Sequence, residues 1–152
     1  METDRARFVE LFCDDDFMVF SDGACTTEAA NARFDEMLRN AAELPYAKQP
    51  VIEPETSMIV GYSGVAWFDF EGQRRLEFGY RLVPEARGRG YATEAGRAVL
   101  TLAAASFRGE LLAMIDPTNT PSSNVAVKLG FTFWKQAPVD DYRVDLFRRT
   151  FS

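Results

Sequence analysis

The chain has 152 residues, 47% of them hydrophobic and 26% charged, which is the length and composition of one folded domain, residues 1–152, and excludes a wholly disordered or collagen-like chain. Its net charge of −6 is uneven: residues 1–73 hold 5 basic and 15 acidic side chains, a balance of −10, whereas residues 74–97 carry +3 and residues 98–152 carry +1. Histidine is absent, so Ser-His-Asp triads, Cys-His dyads, histidine-ligated zinc and histidine-ligated haem are excluded, and any general base must be Asp, Glu, Lys, Tyr, Cys or a water.

The first third reads as helical. Residues 6–20 carry a helical pattern broken by Asp14, Asp15 and Asp16, and residues 21–23 read as a turn. Cys13 and Cys25 match no metal spacing and are too few for a disulfide scaffold, so they are expected as reduced thiols and no metal is expected. Thr26 and Thr27 precede a second helix over residues 28–43, with Ala30, Phe34, Met37, Leu38 and Ala41 on one face and Leu44-Pro45 as its stop. The opening residues lack the apolar core of a secretion signal. The longest apolar stretch, residues 98–107, is far shorter than the ~20 residues of a membrane span, so a cytoplasmic protein with no membrane partner is expected.

From Pro50 onward strand signals take over. Residues 58–70 are rich in β-branched and aromatic side chains, residues 71–73 form a turn, and residues 75–83 return as a second strand, which Pro84 stops. Residues 91–107 read as an alanine-rich helix with a stripe through Ala92, Ala95, Val99, Leu102 and Ala103. Residues 111–115 follow as a strand, residues 121–129 as a helix closed by Gly130, and residues 131–135 and 142–151 as two more strands. The expected fold class is α/β (α+β), a mixed sheet with helices packed on it.

The segment between the strand ending at Val83 and the helix starting at Tyr91 carries Gly88 and Gly90, bracketed by Arg87 and Arg89 in the one clearly basic stretch. Glycine lets backbone turn sharply and approach a ligand, and the first N–H groups of a helix lack intrahelical partners. With the positive end of the helix dipole, this predicts a site for a small anion. The acidic chain with a basic middle fits one such site better than nucleic acid, which wants a broad positive face. A dinucleotide fingerprint would need a third glycine where Thr93 stands, and the G-x-x-x-x-G-K-[ST] phosphate loop is absent.

The run EFGYRLVPEARGRGYATEA resembles the acyl-CoA motif R/Q-x-x-G-x-G/A of the GCN5-related N-acetyltransferases, with Arg87, Gly90 and Ala92 at the motif positions. The run DPTNTPSSNVAVKLGFTF is similar to a second signature of that family, N-x-x-S followed by K-L-G-F, at the expected distance. Together they resemble most closely the branch of ribosomal-protein N-terminal alanine acetyltransferases. The resemblance implies a mostly antiparallel sheet in which two parallel strands, residues 75–83 and 111–115, splay apart around acetyl-CoA. It implies that the diphosphate lies on the amides of Arg87, Gly88, Arg89, Gly90, Tyr91 and Ala92, that pantetheine pairs with the backbone of Leu82 and Val83, and that Asn119 and Ser122 lie near the pantetheine and its thiol. The residues themselves also allow Asn119 and Ser122 to be a turn and a helix cap.

The activity implied is direct transfer of acetyl to an amine on a small molecule or a peptide terminus. Glu77, on the strand beside the splay, is the base candidate, and an N–H near Leu82 or Val83 the group that polarises the carbonyl. Many relatives protonate the thiolate with a tyrosine where this chain has Ala126, which makes Ser122 the substitute and Tyr142 an alternative. A CoA-binding module without catalysis and a NAD-type oxidoreductase are the rival readings. The acidic residues 1–73 suit a cationic acceptor, although Asp14, Asp15 and Asp16 also serve simply to solvate a helix end. Relatives usually open with a strand where this chain opens with a helix. This leaves a sheet edge to be missing or supplied by a partner, and a homodimer open.

Overall fold

The structure is a computed structural model and describes residues 1–21 and 23–152. The turn expected at residues 21–23 includes Asp22, which lies outside the described residues. Helix α1 runs Arg5–Phe12 and stops short of the expected Phe20. The cause is local: Asp14 Oδ1 accepts the Phe17 amide at 2.7 Å and Asp15 Oδ1 accepts the Ala24 amide at 3.2 Å, so these side chains compete with the helix for backbone N–H groups. Helix α2 is Thr27–Glu43, capped by Thr26, whose side chain accepts from Ala29 N. Its last turn gives way to extended backbone at Leu44, as the proline that follows requires.

Strand β1, Gln49–Ile52, was not foreseen, because four residues with a proline among them show no periodicity. Strands β2, Ile59–Phe70, and β3, Gln73–Leu82, form the expected hairpin. Its turn has two residues, not three: Glu71 and Gly72 both have positive φ, 50° and 74°, the geometry that matches the twist of the flanking strands. Helix α3, Tyr91–Ser106, leads to strand β4, Gly109–Ile115. Helix α4 is Thr120–Lys128, and strands β5, Thr132–Val139, and β6, Tyr142–Phe151, close the chain.

The six strands lie in the order β1-β2-β3-β4-β6-β5, antiparallel throughout except for β3 beside β4. Alternation along each strand sends residues to two faces. On one face Leu76, Phe78, Leu111, Ala113 and Phe147 bury against α3 and α4. On the other, Tyr62 joins Phe8, Phe12, Phe17 and Phe34 from α1, α2 and the loop between them. Each such fully buried ring contributes about 1.5–3 kcal/mol relative to exposure, so this aromatic cluster fixes α1 and its loop on the sheet. Helix α3 sits rotated from its expected stripe: Gly96, Val99, Leu100 and Ala103 are buried while Leu102 is 52% exposed. Gly96 causes this, since a Cβ there would come within 3.2 Å of Phe78 and closer still to Leu129, so the helix backbone approaches the sheet along the glycine.

Candidate active site

The parallel pair β3 and β4 is in register only at Leu76 with Leu111 and Glu77 with Leu112. Beyond that the strands part, and both run on, β3 to Leu82 and β4 to Ile115. Which backbone groups face the opening follows from the hairpin. Val83 N donates to Val60 O at 2.8 Å, and in an antiparallel ladder the residues that exchange bonds alternate. Arg81 and Gly79 therefore pair with β2 and the even residues turn the other way. The Glu77–Leu112 pairing takes the Phe78 N–H and Arg87 Nε takes the Leu82 carbonyl, which leaves the N–H groups of Tyr80 and Leu82 and the carbonyls of Phe78 and Tyr80 pointing into the splay. Val83 itself is committed at both ends, its carbonyl accepting from Ala86 N at 3.0 Å. Of the two residues expected to pair like a strand with a ligand, Val83 therefore has no free N–H and Leu82 has one.

At the mouth of the splay, Pro84–Ala86 form a 3-10 turn that aims the chain into α3. Arg87 N is turned inward onto Pro84 O at 3.1 Å, so the expected cradle begins one residue later. The first α3 amide with a partner is that of Glu94, bonded to Gly90 O at 3.0 Å. Among the described residues, the amides of residues 88–93 have no protein acceptor. Gly88 and Gly90 adopt left-handed φ values of 71° and 83°, with nothing within 4 Å of where a Cβ would stand. Six unpaired N–H groups, open space and a helix N-terminus make an anion cradle. The bracketing arginines are structural: Arg87 donates to Leu82 O and Asp16 O, and Arg89 pairs with Glu53 at 2.6 Å and lies over the Tyr91 ring.

Asn119, just past β4, caps α4 by accepting the Ser122 amide at 3.3 Å. The Ser122 hydroxyl meets the Tyr80 hydroxyl at 2.9 Å, so a hydrogen bond joins β3 to α4 across the splay. Ala126, at the position where the resemblance would place a tyrosine, is 3% exposed and packs in the core. Tyr142 opens β6, three residues before the Asp145 that pairs with Ile115, and is 52% exposed.

Glu77 is on the opposite face, toward α1 and α2. It is not the solvated residue that alternation with Phe78 would suggest: its carboxylate faces Lys48 Nζ at 3.8 Å, and the two side chains are 15% and 20% exposed. Burial pushes the Glu77 carboxyl above the usual range, against the opposing pull of Lys48 and Arg81. Lys48 is disfavoured as a cation by burial, the largest effect on it, but Glu77 and Tyr62 together raise it. Two cross-strand glycines, Gly64 and Gly79, make the room. The Lys48 backbone lies where a Gly64 side chain would be, and Glu77 Oε1 lies 2.9 Å from where a Gly79 Cβ would be. Arg81 completes the cluster, donating to Phe17 O at 3.2 Å and to Ser21 Oγ and so tying the α1–α2 loop to the splay.

Lys48, Tyr80, Arg81 and the glycine pair lie beside the expected residues in this candidate site and were not foreseen from the sequence. One signal was available: Gly64 and Gly79 are equidistant from the Glu71-Gly72 turn, so the hairpin alone pairs them. Among the described residues no group of three or more His, Cys, Asp or Glu side chains is placed to hold a metal, and no helix is long and apolar enough to cross a membrane.

The geometry agrees with what the chain resembles. Bacillus subtilis YkkB, an uncharacterised protein, is 29% identical over 126 residues, 82% of this chain and 73% of its own. A Bordetella pertussis structure of the GNAT acetyltransferase family superposes with a TM-score of 0.85 at 20% identity, over 97% of this chain and 90% of that one. The Salmonella typhimurium acetyltransferase yncA, solved with acetyl-CoA, does so with a TM-score of 0.75 at 17% identity, over 100% and 91%. The acetyltransferase (GNAT) domain matches residues 1–132, a stretch that holds the hairpin, both splayed strands, the amide cradle and Ser122, and the chain belongs to that family.

Proposed function

We propose that this protein transfers the acetyl group of acetyl-CoA to a primary amine, on a small molecule or a peptide terminus, by direct attack. The observation that carries this reading is the row of unpaired amides at residues 88–93 standing at the mouth of a splayed parallel pair. A diphosphate suits that cradle in charge, and an extended amide chain suits the N–H groups of Tyr80 and Leu82 and the carbonyls of Phe78 and Tyr80 left open on β3. Acetyl-CoA in the related Salmonella structure supports the same choice. The Asn119 side-chain amide, with its oxygen used as a cap, offers its N–H donors to pantetheine.

The chemistry needs a base, a donor to the carbonyl oxygen and a proton for sulfur. Glu77 takes the proton of the incoming ammonium, directly or through water, from the α1–α2 face. An N–H of β3 turned into the splay, that of Leu82 or Tyr80, polarises the carbonyl. Ser122 stands on the thiol side, at the positive end of α4. The acceptor thus approaches from one face of the sheet and the thioester from the other.

A thermal-shift comparison tests the first half. At a hundred times Kd a ligand adds about 2.7 kcal/mol of stability, which for a chain of this size raises Tm by roughly 5–10 °C. Acetyl-CoA and CoA should do so and NAD should not; the reverse order would replace the reading with a dinucleotide enzyme. Release of free thiol over a panel of amines, peptides and polyamines tests the second half, and binding with no release from any of them would leave a CoA-binding module.

A further inference from the structure

The family's usual proton donor to sulfur is missing here, since Ala126 has no hydroxyl and is buried in the core. Ser122 alone is a poor replacement, because an aliphatic hydroxyl is a far weaker acid than a thiol of pKa ~8.5. A phenol, at ~10, is much closer to the thiol it would serve. The structure puts one in contact with Ser122: Tyr80 is on β3 at the splay, and its hydroxyl lies 2.9 Å from Ser122 Oγ.

Resting on the acetyl-transfer reading, we propose that Tyr80 supplies the proton that reaches the departing thiolate, delivered through Ser122. As the C–S bond breaks and its electron pair stays on sulfur, the Ser122 O–H proton passes to sulfur and the Tyr80 O–H proton passes to Ser122 Oγ. The tyrosinate left behind regains a proton from water, and Glu77 releases the one it took from the amine, so protons balance over a turnover. Tyr80 acts through Ser122, and its place supports this role in two ways. Its ring is half-buried among Phe78, Leu82 and Ala86, which fixes the hydroxyl's aim. Burial also pushes the phenol up, against the Ser122 hydrogen bond and Arg87, the charged group acting on it, so it stays protonated until it is called on.

The same pair of donors should stabilise the thiolate of bound CoA, which gives a test that needs no acceptor. The ultraviolet absorbance of the thiolate is followed against pH in the CoA complex, with the desulfo-CoA complex as the blank. In the wild type the bound thiol should titrate below the ~8.5 of a free thiol. Tyr80→Phe and Ser122→Ala should each weaken its acidity by about tenfold while binding desulfo-CoA as the wild type does. Ser122→Ala leaves the Tyr80 ring packing intact, so it carries the test if the phenylalanine variant folds poorly. Equal titration in the wild type and both variants, with CoA bound in all three, overturns the role of Tyr80 and leaves the acetyl-transfer reading standing. A wild type that binds neither CoA nor desulfo-CoA overturns that reading and this inference with it. In turnover, Tyr80→Phe should lower kcat about 10- to 100-fold with KM for acetyl-CoA unchanged.

Discussion

A base must be ionised yet basic enough to hold a proton, and at Glu77, the base proposed above, neighbours pull in both directions. Burial raises its carboxyl, and Lys48 and Arg81 pull against that rise. Ionisation is lost as pH falls through the folded-state pKa. Because that pKa is raised, the acid limb of kcat/KM should lie above the ~4.3 of an ordinary glutamate. Lys48→Met removes the larger of the two opposing pulls, so Glu77 should rise further and the acid limb should move to higher pH, with Lys48→Arg restoring it. Glu77→Gln should cut kcat by about a hundredfold and leave the calorimetric affinity for acetyl-CoA unchanged, since the cradle is on another element. An acid limb that stays in place in Lys48→Met would remove Glu77 from the role of base.

At the scale of elements, the hairpin supplies the hollow in which that pair lies, and its two glycines do different work. A Cβ at Gly64 would overlap the Lys48 Cα and the Ala47 carbonyl, which are backbone atoms that cannot step aside without lifting the α2–β1 link off the sheet. Gly64→Ala should therefore cost about 2 kcal/mol or more, read as a lower denaturant midpoint. A Cβ at Gly79 meets only the mobile end of Glu77, so Gly79→Ala should leave that midpoint nearly unchanged and lower kcat by displacing the carboxylate. The contrast also shows where the sequence was readable. Turn, hairpin and glycine loop are local, set by Glu71-Gly72, Pro84, Gly88 and Gly90 within a few residues of where they act, and the backbone turns there near the expected places. Lys48 lies between a helix stop and a four-residue strand, and its neighbour is 29 positions away, so no periodicity announces it. Leu102 was placed inward because a hydrophobic stripe was read from side chains, whereas the packing of α3 is decided by the absence of one at Gly96.

Across the whole molecule, the parallel junction divides the sheet into two halves. Strands β1 to β3 carry α1 and α2, and strands β4 to β6 carry the β5–β6 hairpin, with only the Leu76–Leu111 and Glu77–Leu112 pairs in register between them. The core under α3 and α4 bridges the halves through Phe78, Phe131 and Phe147, with Phe78 and Phe131 stacked at 5.6 Å. Backbone edges at the splay have no such bridge, and unpaired strand edges are where local opening is easiest. A ligand whose extended arm pairs with Tyr80 and Leu82 would close that edge. Hydrogen exchange should then slow on acetyl-CoA binding at the amides of Tyr80 and Leu82, which face the opening, and at the cradle. The amides of Gly79, Arg81 and Val83 already pair with β2 and should change little. This alternation within one strand separates insertion into the splay from a general tightening of the fold, which would slow both sets alike. If the slowing is confined to the cradle, the diphosphate is held there but the rest of the molecule lies outside the sheet, and the roles given to Glu77 and Ser122 lose their substrate.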